Sequence, residues 1–158
     1  MSAWYAHKIP PPVIDVACAA LMWWLARHAP GWQLWPPGAH ALVWVAALLL
    51  ATAGAALALA GVWAFAQART TVNPLAPRRA RELVTHGVYR HTRNPMYLGM
   101  LLALAGWAVW LGNAAALPVL PAFVLVLNAL QIRPEEAALR ERFGEAYARY
   151  ACRARRWL

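Results

Sequence analysis

Charged residues are scarce in this sequence, and acidic residues are scarcer than basic ones. Only 13% of the 158 residues are charged, with six Asp and Glu against fifteen Lys and Arg. Soluble domains contain about a quarter charged residues, so this chain lacks the material for a fully water-exposed surface. Hydrophobic residues make up 62% of the sequence. Their surplus apolar surface indicates contact with lipid.

Cysteine is also rare, and the few metal-binding residue types are dispersed. Cys18 lies in an apolar segment and Cys152 in a basic one. They form no Cys-x-x-Cys motif and no cluster with histidine, so the sequence predicts neither a disulfide nor a metal site. The net charge of +9 would suggest nucleic acid in a soluble protein. Here the basic residues lie between and after apolar runs, which favours membrane lipid headgroups over nucleic acid.

Four apolar runs predict an all-α, polytopic membrane protein that forms a single domain over residues 1–158. We expect transmembrane helices at about 13–29, 39–66, 96–111 and 114–132. The second run would span roughly 42 Å, longer than a hydrocarbon core of about 30 Å, so it must tilt or project from the membrane. Small residues in this run predict close helix packing: Ala51, Gly54, Ala55 and Gly61.

The tail predicts a different kind of helix, amphipathic and cytoplasmic, over residues 134–150. Its apolar residues recur at intervals of four, four and three and share one face: Leu139, Phe143, Tyr147 and Tyr150. The remaining surface offers two i,i+4 ion pairs, Glu136 with Arg140 and Glu145 with Arg149. We expect this helix to lie on the membrane or over the helix bundle.

The distribution of arginine predicts the orientation in the membrane. Six arginines lie in the loop 67–95 and seven in the tail from Arg133, whereas Arg27 falls at the opposite end of the first helix. With four spans, the loop, the tail and the amino terminus share one side. The excess of positive charge makes that side the cytoplasm.

Three strings on the cytoplasmic side combine residue types that suit ligand binding. They are Gly87-x-Tyr89-x-x-x-Arg93-Asn94-Pro95-x-Tyr97-x-Gly99, then Arg133-Pro134-Glu135-Glu136, then Phe143-Gly144-x-x-Tyr147-x-x-Tyr150. Each string also has a structural interpretation. Tyrosines anchor helices at interfaces, glutamates suit a first helical turn, and glycines such as Gly99 permit close packing.

Taken together, the strings are compatible with S-adenosylmethionine. The start of the third helix offers N–H groups for a carboxylate, with Asn94 and Pro95 as its predicted N-cap and first residue. Glu135 can pair with an ammonium or a ribose hydroxyl, and tyrosine rings suit a purine or a sulfonium. This compatibility does not by itself select S-adenosylmethionine over another cofactor.

The selection comes from a family resemblance. The segments LVTHGVYRHTRNPMYLG and RPEEAALRERFGEAYARY resemble the isoprenylcysteine carboxyl methyltransferase family and its phospholipid methyltransferase relatives. The family pattern is LVTxGxYxxxRHPxYxG, then paired glutamates, then FGxxYxxY. The resemblance runs from about Thr70 onward. It implies an integral protein of a bacterial inner membrane that transfers methyl groups from S-adenosylmethionine to a lipophilic or lipidated acceptor.

The resemblance also implies roles for individual residues. The residues implied to surround S-adenosylmethionine are Glu82, Leu83, Val84, Tyr89, Asn94, Pro95, Met96, Tyr97 and Glu135. An arginine at the end of the fourth helix serves the substrate carboxylate in eukaryotic members. Here that arginine aligns with Gln131, and Arg133 is offset from it by two residues, so both are candidates for this catalytic role. Asn94 stands where the family pattern has histidine, and it cannot titrate near neutral pH.

Three alternatives stay open on the sequence alone. One is a phospholipid or lipid-amine N-methyltransferase of the same fold. Another is a membrane sterol reductase, which has a related helical core and uses a nicotinamide cofactor. The third is a non-enzymatic basic scaffold whose arginines only bind anionic lipid.

Overall fold

The chain folds into helices. The computed structural model describes residues 9–36, 40–68 and 82–158, and it contains no strand in these ranges. The α-helices are α1 Pro11–His28, α2 His40–Gln67, α3 Pro95–Leu111, α4 Val119–Leu127, α5 Arg133–Phe143 and α6 Glu145–Arg153. Short 3₁₀ helices lie at Pro30–Trp32, Gly87–Arg90 and Ala114–Ala116. The all-α prediction is confirmed. The predicted start of the second helix at residue 39, the amino terminus and residues 69–81 of the loop 67–95 lie outside the described ranges.

The first four helical segments run alternately up and down. At one end, Gln131 Nε2 donates to the Ile9 carbonyl at 2.6 Å, which joins the end of the fourth apolar run to the start of α1. At the other end, Asn113 Nδ2 donates to the Ala29 carbonyl at 2.8 Å. Between these ends lies a core whose fully buried members include Met22 and Phe123. The loop 82–94, α5 and α6 therefore all lie at the Gln131 end.

Glycine controls the contact between α2 and α3. A Cβ atom on Gly54 would lie 2.4 Å from the Gly99 carbonyl oxygen, and one on Gly99 would lie 2.5 Å from the Gly54 carbonyl oxygen. Gly106 faces the Ala47 carbonyl in the same way, at 2.8 Å. Only glycine lets these backbones approach so closely. The packing role predicted for Gly54 and Gly61 is confirmed, whereas Ala55 is exposed.

Two helical segments are long and apolar enough to cross a membrane, by length and composition: His40–Gln67 and the continuous Ala114–Phe143. α3 is apolar but shorter. Leucines of α2 such as Leu42 and Leu59 are 80% and 68% exposed, which is typical of a lipid-facing surface. These observations do not extend to four spans, which stay a prediction.

α2 continues past the point where α3 begins. A Cβ atom on Gly61 would lie 3.2 Å from Pro95 Cγ, so these two residues are at the same height in the bundle. The next turn of α2 carries Ala64, which is buried with Val84 and Tyr89. The surplus length that the sequence indicated is therefore used in packing against the loop 82–94.

The fourth apolar run does not end at residue 132. α4 continues through a π-helical segment, Asn128–Ile132, into α5 with helical backbone angles at Ile132 and Arg133. Pro134 has no N–H and its ring crowds the preceding turn, and the wider π turn sits directly before it. Because the helix is continuous here, Glu135 and Glu136 do not occupy a free helix terminus.

The predicted single tail helix over 134–150 is wrong. Gly144 adopts φ +50° and ψ −123°, a conformation that side-chain-bearing residues rarely adopt, and it separates α5 from α6. Tyr147 of α6 is buried, whereas Phe143 of α5 is half-buried. The two halves of the predicted apolar face therefore belong to different helices.

Candidate active site

The centre of the site is a hydrogen bond between α3 and α5. Tyr97, buried in the first turn of α3, donates its hydroxyl proton to Glu135 Oε1 at 2.6 Å. Glu135 follows the apolar run 114–132. Burial raises the pKa of its carboxyl group to about 8, the hydrogen bond from Tyr97 opposes this, and the adjacent charge of Glu136 adds to it. The structure therefore brings together two residues that the sequence assigned to the cofactor.

The neighbouring glutamate has different partners. Glu136 accepts hydrogen bonds from Arg93 Nη2 at 2.9 Å and from Arg156 Nη2 at 2.6 Å. Burial alone would raise the pKa of Glu136, but these two guanidinium groups outweigh it and hold the pKa below its usual value. The predicted pair of Glu136 with Arg140 is wrong, because both longer-range arginines occupy the carboxylate. The predicted pair of Glu145 with Arg149 is confirmed at 3.2 Å.

Residues 154–157 form a strap that runs beside residues 91–94. The Arg93 N–H donates to the Arg155 carbonyl at 2.8 Å, and the Arg155 N–H donates to the His91 carbonyl at 3.2 Å. Asn94 Nδ2 donates to the Arg156 carbonyl at 2.9 Å. Although Asn94 is the residue before α3, its side chain makes no capping bond. The Asn94 side chain is instead bonded to the strap.

Sequence reasoning missed the strap. The basic residues of the tail were interpreted as contacts to lipid, and nothing in their spacing indicates pairing with residues 91–94. The signal that was available is Glu136 in a tail whose arginines outnumber its acidic residues. A half-buried carboxylate there requires cationic partners, and Arg93 and Arg156 supply them.

Tyr89 lies behind the Tyr97–Glu135 pair in a small second core. It is buried with Val84 and Ala64, and its ring packs edge-on against Phe65 with centroids 5.3 Å apart. The Tyr150 hydroxyl of α6 donates to the Tyr89 carbonyl at 2.9 Å. Burial raises the pKa of the Tyr89 hydroxyl above its usual value, and the nearby Tyr150 and Glu135 add to the effect.

An open cleft of about 670 Å³ separates the loop 82–90 from α6. Glu82 and Leu83, both assigned to the cofactor from the sequence, line one side of it. The other side comes from α6 and the residue after it, and it includes residues that were not assigned to the cofactor: Ala146, Arg149, Tyr150, Arg153 and Ala154. Tyr150 belongs to the third string, so that string indicated part of this wall.

The other candidate residues lie around the Tyr97–Glu135 pair and the cleft, and they do not surround one common site. Pro95 is fully buried, and Pro95 and Met96 pack against Gly61 of α2. Gln131 is fully buried, and its Oε1 has no hydrogen-bond partner among the described residues. Arg133 is exposed. Positions two residues apart on a helix differ by a rotation of about 200° around the helix axis. Gln131 and Arg133 therefore lie on nearly opposite faces and cannot serve one substrate group together from these positions.

A family comparison identifies the class of protein. The family model of phospholipid methyltransferases matches residues 42–146, well over half of the chain. The match includes α2, α3, the Tyr97–Glu135 pair and Glu136. The chain belongs to this phospholipid methyltransferase family.

Individual relatives agree with this placement. The chain is 48% identical over 63 residues to an uncharacterized protein of Haemophilus influenzae, and the aligned segment covers 40% of this chain and 100% of that protein. It is 41% identical over 69 residues to protein-S-isoprenylcysteine O-methyltransferase A of Arabidopsis thaliana, and the aligned segment covers 44% of this chain and 35% of the plant protein. This chain thus spans about a third of the length of the plant relative. No solved structure matches the chain significantly.

Proposed function

We propose that the protein transfers the methyl group of S-adenosylmethionine to a lipophilic acceptor at the cytoplasmic face of a membrane. The Tyr97–Glu135 hydrogen bond carries this proposal. It places an acidic group and an aromatic ring at the start of α3, inside the region that matches the methyltransferase family. S-adenosylmethionine is a cationic sulfonium compound, and a carboxylate beside tyrosines suits such a compound.

The described residues fit the groups of S-adenosylmethionine, which supplies an electrophilic methyl when bound. Glu135 would hold its ammonium or ribose hydroxyl, with Tyr97 fixing the orientation of the carboxylate. The first N–H groups of α3, a helix of 17 residues, would hold its carboxylate. Glu82 and Leu83 would contact it from the cleft. Val84 and Tyr89 would support that side from the second core, which also excludes water.

The chain's contribution to the reaction would be positional. Methyl transfer by displacement needs the nucleophile in line with the methyl group, and holding both in place lowers the barrier. A carboxylate acceptor needs no base, whereas an amine must first lose a proton. Tyr89 is a poor base for this, because its raised pKa favours the protonated form.

We further propose that the protein forms one domain with four membrane spans and cytoplasmic termini. The alternating helices support this, because the basic loop and the basic tail meet at the same end of the bundle. α1 and α3 are the spans that length and composition alone do not support. Both contact other helices through buried residues such as Ile14 and Leu104, so they have partners within the bundle.

The acceptor we propose is an isoprenylcysteine-like carboxylate or a similar lipophilic group. The named activity of the plant relative favours it. A phospholipid or lipid amine is the second candidate, favoured by the family description and by Gln131. A neutral amide at that buried position cannot neutralise a substrate carboxylate as an arginine would.

Equilibrium binding of labelled S-adenosylmethionine to the protein in detergent tests the proposal. We expect saturable binding that unlabelled S-adenosylmethionine displaces and that a nicotinamide dinucleotide does not. A Glu135→Gln variant should bind more weakly. Absence of binding by a folded, monodisperse protein would favour the scaffold alternative, and preference for the nicotinamide would favour a reductase.

A further inference from the structure

A second concave surface, which we name the interfacial groove, adjoins the cleft at Arg90 and Arg153 and extends along His91 and Thr92. It has a volume of about 480 Å³. Its apolar lining comprises Leu57, Val88, Leu98, Trp157 and Leu158, and its basic rim includes Arg90, Arg153 and Arg155. No acidic residue lines it within the part of the chain that the structure describes. Arg90 and Arg153 also line the cleft, but none of the residues given a role in the methyltransferase site lines this groove.

The groove lies where the apolar helices meet the basic segments. Leu57 is one helical turn before Gly61, and Gly61 contacts Pro95 at the start of α3. Leu98 follows within the first turn of α3. The apolar wall is therefore at the height where α3 begins, and the arginines lie on the segments beyond that height.

The rim arginines have no partners among the described residues. Arg90, Arg153 and Arg155 are exposed, and their guanidinium groups form no ion pair or hydrogen bond with any described residue. By contrast, Arg93 and Arg156, on the same two segments, are both held by Glu136. The fold thus neutralises one pair of arginines and leaves three others directed to the outside.

We propose that the interfacial groove binds the phosphate headgroup of an anionic phospholipid, with an acyl chain lying along Leu57 and Leu98. The three arginines provide charge complementarity to the headgroup. The apolar wall distinguishes a lipid from a free phosphate, because a water-soluble anion gains nothing from leucine contacts. The inference rests on the proposed function only in placing this end of the bundle at a membrane surface.

Native mass spectrometry of the full chain in detergent tests the proposal, with phosphatidylglycerol, phosphatidylcholine and inorganic phosphate as probes. We expect phosphatidylglycerol to be retained at least tenfold more tightly than phosphatidylcholine, and millimolar phosphate not to displace it. Arg153→Gln combined with Arg155→Gln should weaken phosphatidylglycerol binding roughly 10- to 30-fold, as two headgroup-facing arginines would.

Two matched variants make the result decisive. Arg27→Gln with Arg140→Gln removes the same charge from exposed positions outside the groove, and it should leave the lipid preference unchanged. Arg153→Lys with Arg155→Lys retains the charge and should preserve most of the preference, which separates loss of charge from loss of folding. Equal retention of both lipids, displacement by free phosphate, or an equal loss in the Arg27/Arg140 variant would each overturn the proposal. Because no S-adenosylmethionine is present, such a failure is distinguishable from failure of the methyltransferase function.

Discussion

The Tyr97 hydroxyl and Glu135 Oε1 lie 2.6 Å apart, although 38 positions separate the two residues in the chain. This bond joins the first turn of α3 to the start of α5. One residue later, Glu136 joins the same helix to Arg93 and Arg156. Two adjacent carboxylates therefore have separate partners. We propose that Glu135 binds the ligand, whereas Glu136 attaches the strap.

Replacement of Glu135 tests that division of roles. Glu135→Gln removes a charged hydrogen-bonding group, and loss of such a bond costs about 1.5–3 kcal/mol. Affinity for S-adenosylmethionine should therefore fall roughly 10- to 150-fold at pH 8, where Glu135 is substantially ionised, measured by equilibrium binding in detergent. The control is Glu136→Gln, which should change affinity much less. A larger loss of affinity in Glu136→Gln than in Glu135→Gln would contradict the assignment.

The raised pKa of Glu135 predicts that cofactor binding depends on pH. With a pKa of about 8 in the free protein, the carboxyl group is largely neutral at pH 6 and half ionised at pH 8. Only the ionised form pairs with an ammonium group. The ratio of wild-type to Glu135→Gln affinity should therefore rise from pH 6 to pH 8, by up to about 50-fold. A ratio that is constant over this range would show that the ionisation of Glu135 is not linked to binding.

Glu136 should contribute to stability rather than to affinity. Glu136→Gln weakens the charged hydrogen bonds to Arg93 and Arg156, and we expect it to lower the free energy of unfolding by about 1.5–3 kcal/mol at pH 7. Because the folded-state pKa of Glu136 is lowered, this contribution is present above the usual glutamate pKa. It is lost as pH falls below about 4.5 and through the lowered folded-state value.

Thermal unfolding in detergent at several pH values measures this effect. Glu145→Gln is the control, because its pair with Arg149 is exposed and should contribute about 0.5 kcal/mol or less. Equal effects of the two substitutions at pH 7 would mean that the strap is not held by Glu136.

The contact between α2 and α3 predicts a large effect from one methyl group. In Gly54→Ala the new Cβ would lie 2.4 Å from a backbone oxygen, so the helices must separate. Overpacking of this kind costs about 1–3 kcal/mol, measured by thermal unfolding in detergent. Gly31→Ala is the control, since no described residue lies within 4 Å of its added Cβ. Unchanged stability in Gly54→Ala would mean that the helices are farther apart than described.

The apolar runs predicted the helices well because burial in a membrane or a bundle requires continuous apolar surface. α1 begins two residues before its predicted start, and α3 begins one residue before. The tail was less predictable. Periodicity extends across Gly144, but a single positive φ value redirects the chain, and hydrophobic spacing contains no information about that angle.

The candidate site was predictable in composition but not in arrangement. The sequence selected Tyr97 and Glu135, which the structure pairs. It did not indicate that Arg156 returns to Glu136, because contacts between distant segments depend on tertiary packing that local spacing does not encode. It also placed Gln131 and Arg133 together as candidates, although the helix directs one inward and the other outward.

Transfer of a labelled methyl group in liposomes tests the central claim most directly. The purified protein would be reconstituted and given methyl-labelled S-adenosylmethionine with two acceptors that share a reactive group, one with an isoprenoid tail and one without. We expect protein-dependent label in the tailed acceptor, faster than in the short one, and strongly reduced by Glu135→Gln. No transfer to either acceptor, across carboxylate and amine pairs, by a protein that remains folded would contradict the account.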